Sequence, residues 1–103
     1  MNDIKQIALS YVDQVKKDGI PVTKAYLFGS YAKGTANKFS DIDICIVSPK
    51  FGDDYFSNSL ELKKVANKVD LRIEPVPFGL DDMNDKYSTL ATEVSKFGVN
   101  LLQ

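Results

Sequence analysis

The chain has 103 residues, of which 44% are hydrophobic and 26% charged, and its formal net charge is −1. This is the composition of a water-soluble globular protein, and we expect one domain over residues 1–103. The weak acidity argues against free nucleic acid as the main partner, because proteins dedicated to duplex binding are usually basic. No apolar run is long enough to span a membrane and no signal peptide opens the chain, so we expect a cytoplasmic protein without a membrane partner.

The residue types that are missing narrow the chemistry further. The sequence has no histidine and a single cysteine, Cys45, which lies in an apolar run and is expected to be a small buried hydrophobe. Without histidine, Ser-His and Cys-His nucleophilic pairs and most zinc sites are excluded. Carboxylates remain as the available catalytic groups, and they favour Mg²⁺ over Zn²⁺.

The predicted elements in the first half of the chain lead to a small polar loop. Apolar residues recur at helical spacing over residues 4–15, which predicts an amphipathic helix. A short run of apolar and aromatic residues predicts a strand over 22–28, followed by a helical turn at 31–33. Small polar residues predict a loop over 34–40, and the next apolar run predicts a strand over 41–47.

The second half of the chain continues the alternation of helices and strands. Periodicity predicts a helix over residues 60–68, and a regular polar–apolar alternation predicts a strand over 69–74. The prolines that follow this strand place its far end at a sheet edge or beyond the pairing. A last helix over 87–97 and a short strand over 99–102 complete the order. The predicted fold class is therefore α/β or α+β, with a mixed β-sheet flanked by helices.

Three aspartates are the candidate catalytic and metal-binding residues. Asp41 and Asp43 are two residues apart on a predicted strand, so their side chains leave the same face. Such a pair of like charges repels itself unless a cation neutralises it. Asp70 begins the polar face of the strand over 69–74. If that strand lies beside 41–47, three carboxylates converge on a site suited to a hard divalent ion.

A glycine-serine pair supplies a candidate phosphate site. Gly29 follows a strand and permits a tight turn, and Ser30 would begin a short helix. Free backbone N–H groups at a helix start, together with the serine hydroxyl, can bind the phosphates of a nucleotide. Lys33 and Lys38 are further candidate phosphate contacts, or else solvated surface lysines.

Each of these features also has a structural interpretation. Taken alone, an Asp-x-Asp pair is more often a solvated strand end or a helix cap, a Gly-Ser pair is usually only a turn, and Asp70 alone is a surface carboxylate. Gly29 and Gly34 have the glycine spacing of a P-loop, but Thr35 stands where that motif requires lysine, so we reject it. The ordered combination of turn, loop and carboxylates is much more specific than its parts.

The combination resembles the signature of the DNA polymerase β-like nucleotidyltransferase superfamily, which is Gly-Ser, ten residues, then Asp-x-Asp. Gly29-Ser30 and Asp41-Ile42-Asp43 match this spacing. The short chain looks like the minimal nucleotidyltransferase (MNT) branch, which is little more than the catalytic palm. The resemblance implies a polymerase β-like palm that binds ATP or another NTP together with two Mg²⁺ ions.

The resemblance also implies a reaction and a partner. The MNT member of an MNT–HEPN pair can act as an antitoxin by transferring AMP onto a tyrosine of a small helical HEPN toxin. In that scheme Asp41 and Asp43 contact both metals, and Asp70 holds one metal and accepts the proton of the attacking hydroxyl. Gly29 and Ser30 position the β- and γ-phosphates.

Two alternatives remain at this point. An MNT-like protein could neutralise a toxin by contact alone, without catalysis. A nucleotidyltransferase could instead modify a small molecule or RNA, although such an enzyme normally needs a second, acceptor-binding domain, which we do not expect here. The acceptor, the preferred base of the NTP and the oligomeric state do not follow from the sequence.

Overall fold

The computed structural model describes residues 2–102. None of the helices in this range is both long and apolar enough to cross a membrane. The elements, in chain order, are the helix α1 (Asn2–Lys17), the strand β1 (Lys24–Phe28), the short helix α2 (Ser30–Lys33), the strand β2 (Ile42–Val47), the helix α3 (Tyr55–Ala66), the strand β3 (Ile73–Phe78), a 3-10 turn (Asp82–Asn84), the helix α4 (Thr89–Phe97) and the strand β4 (Val99–Asn100).

The four strands form one mixed sheet in the order β3-β2-β1-β4. The strand β2 runs parallel to β3 and antiparallel to β1, and β1 is antiparallel to β4. The predicted mixed α+β class is thus confirmed. The strand β3 lies at one edge of this sheet and contains Pro75 and Pro77, as expected for residues that cannot donate to an inner ladder.

The sheet separates two apolar cores, and the inner strand β2 contributes side chains to both. Ile42, Ile44 and Ile46 are fully buried in the core that contains α1 and α3. The alternate residues face α4, where Cys45 packs with residues of α4 and β3, so its predicted burial is confirmed. Because side chains alternate along a strand, Asp43 faces the α4 side of the sheet.

The strand predicted over residues 69–74 is wrong in its position, since β3 covers Ile73–Phe78. A turn precedes it. The Arg72 N–H donates to Asp70 Oδ1 at 2.9 Å, the Ile73 N–H donates to the Asp70 carbonyl at 3.2 Å, and Leu71 is 76% exposed. The helix α3 begins earlier than its periodicity predicted, because Asp54 caps it by accepting a hydrogen bond from the Ser57 N–H.

A buried phenol connects α1 to α3, and it gives the first testable prediction. The Tyr11 hydroxyl donates to the Leu62 carbonyl at 2.9 Å, and burial raises the pKa of this phenol. We expect Tyr11→Phe to lower the free energy of unfolding by about 1 kcal/mol, measured by urea denaturation. Tyr87 is 86% exposed, so Tyr87→Phe is the control and should change stability by less than about 0.5 kcal/mol. Equal stabilities of the two variants would contradict the assigned role of the hydrogen bond.

Candidate active site

Asp43 lies at the centre of the candidate site, between two neighbouring strands. Its backbone pairs with Phe28 of β1 on one side and with Glu74 of β3 on the other. Asp43 is half-buried, whereas Asp41, which directly precedes β2, is exposed. The structure brings these two predicted residues together, since the charge of Asp41 acts on the Asp43 carboxylate.

The carboxylates around Asp43 form an acidic cluster on the α4 side of the sheet. The pKa of Asp43 is raised to about 6, first by burial and then by the negative charges of Asp41, Glu74 and Glu93. We refer to these four residues as the acidic cluster. Its donors are all carboxylate oxygens, which fit a hard divalent cation such as Mg²⁺. Over residues 2–102, however, no three acidic side chains already stand in the arrangement of metal ligands.

The structure does not bring Asp70 into the acidic cluster. Asp70 precedes β3, and its two carboxylate oxygens accept hydrogen bonds from Arg72 Nε at 3.1 Å and Nη2 at 2.9 Å. These hydrogen bonds hold the pKa of Asp70 below its usual range. The strand register instead places Glu74 beside Asp43, so the predicted convergence is corrected to Asp41, Asp43 and Glu74.

A signal for this correction exists in the sequence. Asp70, Arg72 and Glu74 are two residues apart from one another and would lie on the same face of a strand. The alternation alone therefore cannot show which of the two acids joins Asp43. Arg72 follows Asp70 at the spacing that allows a local ion pair, and this pair neutralises the Asp70 carboxylate. Glu74 has only a longer contact, 3.6 Å to the Lys63 ammonium, and accepts no side-chain hydrogen bond from it. Glu93 had no sequence signal, because it reaches the cluster from α4, the last helix.

The Gly29 turn is in direct contact with the acidic cluster. Gly29 has a φ of 74°, and a Cβ atom built there would lie 2.1 Å from Asp43 Oδ2. Ser30 begins α2, and Gly34, with a φ of 77°, ends it. The Thr35 N–H donates to the Ser30 carbonyl at 3.0 Å, which closes the turn behind the helix. The predicted nucleotide-binding pair Gly29 and Ser30 is therefore adjacent to Asp43, and its role stays a prediction.

This contact makes Gly29 the most restricted glycine of the site. We expect Gly29→Ala to lower the free energy of unfolding by about 2–3 kcal/mol, because the methyl group meets a carboxylate and the backbone is strained. The control is Gly52→Ala, where a Cβ atom has no heavy atom within 4 Å and the change should be below about 0.5 kcal/mol. Urea denaturation measures both. A Gly29→Ala variant as stable as the control would show that the turn is not packed against Asp43.

The two candidate lysines differ in their surroundings. The Lys33 ammonium contacts the Glu93 carboxylate and lies 5.2 Å from the centroid of the Phe97 ring. Lys33 is therefore at the rim of the acidic cluster. Lys38 is exposed and lies 5.1 Å from the centroid of the Phe39 ring.

Comparison with known proteins adds sequence relatives to this geometry. The profile of the family described as "Nucleotidyltransferase domain" matches residues 9–94. The candidate protein adenylyltransferase MJ1379 of Methanocaldococcus jannaschii is 35% identical to this chain over 69 residues, which are 67% of this chain and 68% of that protein.

Solved structures with the same fold are also found. A chain of a toxin–antitoxin crystal structure with AMP-PNP is 28% identical at a TM-score of 0.65, over 90% of this chain and 71% of that one. A second match is a chain of the solved complex between the tri-AMPylated Shewanella oneidensis HEPN toxin and its MNT antitoxin. That chain is 25% identical to this one at a TM-score of 0.58, over 94% of this chain and 71% of that one. A candidate nucleotidyltransferase from Sulfolobus solfataricus has a TM-score of 0.69 over 95% of this chain and 78% of that one. Its sequence identity is 18%, so it supports the fold alone.

Proposed function

Since the chain belongs to the nucleotidyltransferase domain family, we propose that it transfers AMP from ATP to a hydroxyl group of a partner protein. The family match confirms the resemblance that Gly29-Ser30 and Asp41-Ile42-Asp43 indicated. The observation that carries the proposal is the position of Asp43, which contacts the Gly29 turn and is surrounded by three further carboxylates.

The identity of the donor and of the partner rests on the relatives. One relative is named as a candidate protein adenylyltransferase, and one similar structure is a toxin–antitoxin complex with AMP-PNP. A third is an AMPylated HEPN toxin bound to an MNT antitoxin. By this similarity we propose that ATP is the donor, that a HEPN-family helical protein is the acceptor, and that the chain acts as an antitoxin.

The acidic cluster would also hold the metal ions of the reaction. Asp41, Asp43 and Glu74 supply only oxygen donors, the ligand type that Mg²⁺ prefers, and two ions are the number proposed here. Bound there, Mg²⁺ would neutralise the triphosphate and lower the pKa of the attacking hydroxyl. The raised pKa of Asp43 is consistent with a site whose concentrated negative charge a bound cation would stabilise.

The side chains divide the remaining chemistry. Ser30 and the backbone N–H groups of the Gly29 turn hold the β- and γ-phosphates, and Asp43 would hold the cation that neutralises the α-phosphate beside them. The acceptor oxygen forms a bond to the α-phosphorus while the bond from that phosphorus to the bridging oxygen breaks, and the electron pair leaves with pyrophosphate. Glu74 accepts the proton of the acceptor hydroxyl. Most of the rate enhancement then comes from positioning and electrostatics.

A labelling experiment tests the proposed function. The protein is incubated with Mg²⁺ and a purified HEPN-family protein encoded in the same genome, in parallel with ATP labelled at the α- or at the γ-phosphate. We expect the α-label on the HEPN protein and no γ-label, because AMP is transferred and pyrophosphate leaves. Absence of both labels contradicts AMP transfer to this partner. Toxin neutralisation that persists in an inactive Asp43→Asn variant would instead support a binding protein that acts by contact.

A further inference from the structure

An ion pair joins α2, the helix that follows the Gly29 turn, to the last helix, α4. The Lys33 ammonium contacts the Glu93 carboxylate and lies 5.2 Å from the centroid of the Phe97 ring. Glu93 and Phe97 are four residues apart on α4 and therefore share one face of that helix. The Lys33 and Glu93 side chains are only 36% and 28% exposed, so their contact is partly shielded from water. We call it the Lys33–Glu93 pair.

Both members of this pair lie beside the proposed phosphate site. Lys33 is in the first helical turn after Gly29, and its N–H donates to the Gly29 carbonyl at 3.1 Å. The negative charge of Glu93 acts on the Asp43 carboxylate. A triphosphate between the Gly29 turn and Asp43 would therefore meet a lysine that attracts it and a glutamate that repels it. In this structure the glutamate engages the lysine.

Glu93 has a second cationic neighbour on its own helix. Lys96 lies three residues further along α4, a spacing at which helix side chains can pair. None of the ion pairs within residues 2–102 includes Lys96. Glu93, Lys96 and Phe97 all line a cavity of about 410 Å³ along α4, which leaves room for the Glu93 side chain to turn. Glu93 could therefore exchange one lysine for the other.

The Lys33–Glu93 pair also has a purely structural interpretation, in which it only fastens α2 to α4. Ion pairs this exposed contribute little to stability, because water and salt screen them. A phosphate group carries more negative charge than a carboxylate and offers more acceptor oxygens to the same ammonium. A phosphate in the Gly29 turn is therefore the stronger partner for Lys33, and the pair is weak enough to exchange.

We propose that Glu93 is a positioning residue that acts through Lys33 and keeps the binding of polyphosphates reversible. Glu93 holds the Lys33 ammonium beside the Gly29 turn until a nucleotide takes it over, and Glu93 then turns to Lys96. Once pyrophosphate has formed, Glu93 competes for Lys33 again and promotes release of the pyrophosphate. This inference rests on the proposed function, because it takes the Gly29 turn as the phosphate site.

Calorimetric titration of the full chain with AMP-PNP and Mg²⁺ tests this exchange. We expect Glu93→Gln to bind AMP-PNP about fivefold more tightly than the wild type, because Lys33 is then free for the phosphates. The control is Glu61→Gln, which breaks a comparable ion pair between α3 and Lys50 and should leave the affinity unchanged. Unchanged affinity in Glu93→Gln would reject the exchange. Weaker affinity would also overturn it, and would make Glu93 a ligand of the metal or of the nucleotide.

A double variant shows whether Glu93 acts through the lysine. Lys33→Gln alone should weaken AMP-PNP binding, and the gain from Glu93→Gln should disappear when Lys33→Gln is already present. A gain that persists in the double variant would mean that Glu93 only repels the phosphates directly, which overturns its positioning role. Lys96→Gln should weaken AMP-PNP binding about twofold, but only while Glu93 is present. Glutamine keeps the helix propensity at all three positions, so the variants are expected to fold.

The wild type separates a failure of this inference from a failure of the proposed function. If the wild type binds neither AMP-PNP nor pyrophosphate in the presence of Mg²⁺, the proposed function is wrong and this inference falls with it. If the wild type binds AMP-PNP and Glu93→Gln behaves like Glu61→Gln, only the role of Glu93 is wrong. Inhibition of AMP transfer by added pyrophosphate gives a kinetic measurement, and its inhibition constant should fall about fivefold in Glu93→Gln, together with the KM for ATP.

Discussion

Replacing Glu74 by glutamine is expected to slow AMP transfer by about 100- to 10,000-fold, the range that loss of a general base produces. Glutamine keeps the shape of the side chain but cannot accept the acceptor proton. Asp70→Asn should instead leave the rate within about threefold of the wild type, because the Asp70 carboxylate is already engaged by Arg72 and is not next to Asp43. Rates of α-label transfer from ATP, at saturating ATP and acceptor, measure both variants.

The two variants control for each other, because each replaces one carboxylate by its amide within the same short segment. Glu74 is exposed, and the Asp70–Arg72 ion pair is solvent-accessible, so neither change should alter stability by more than about 1 kcal/mol. A large loss of rate in Asp70→Asn, combined with an active Glu74→Gln, would return the third catalytic position to Asp70.

Asp43→Asn is expected to slow transfer on the order of 1,000-fold while stabilising the metal-free protein at pH 8. Asp43 has a pKa of about 6 in the folded chain, above the value of about 3.9 that an unfolded aspartate has. The native state therefore holds a proton that the unfolded chain releases between these two values. The stability that this proton contributes is complete below about pH 4 and is lost as the pH rises through 6.

Urea denaturation of the wild type and of Asp43→Asn at several pH values measures the contribution of the Asp43 proton to the free energy of unfolding. All other titrating groups are common to both proteins, so the difference in their free energies of unfolding isolates Asp43. After allowance for solvent screening, the variant should gain about 1–2 kcal/mol over the wild type between pH 4 and pH 6.5. At pH 8, added Mg²⁺ should stabilise the wild type but not the variant. A variant that is less stable than the wild type at pH 8 would show that Asp43 is structural.

The elements that hold Asp43 could be predicted from the sequence, because local rules determine them. The Gly29 turn follows from a glycine after an apolar run, and the parity of Asp41 and Asp43 follows from strand geometry. The third carboxylate could not be predicted in the same way. Asp70 and Glu74 have the same parity, and only the turn closed by Asp70 and Arg72 decides that β3 begins at Ile73.

The start of α3 was missed for a related reason. Its first turns carry Tyr55 and Phe56, which are 52% and 66% exposed and therefore do not follow the pattern of a core-facing helix. Periodicity detected only the later turns, where Leu62 and Val65 are buried.

The outer rim of β3 restricts how any partner can be recognised. Carbonyls of Arg72 and Phe78 accept hydrogen bonds from the β2 segment, so the intervening Pro75 and Pro77 turn their ring nitrogens outward. The Ile73 carbonyl on the same rim is occupied by Lys63. This rim cannot be extended by an incoming strand, because the N–H donors needed for main-chain augmentation are missing. An acceptor protein must therefore be recognised through its side chains. This requirement does not restrict the secondary structure of the acceptor, so a helical surface can present the hydroxyl.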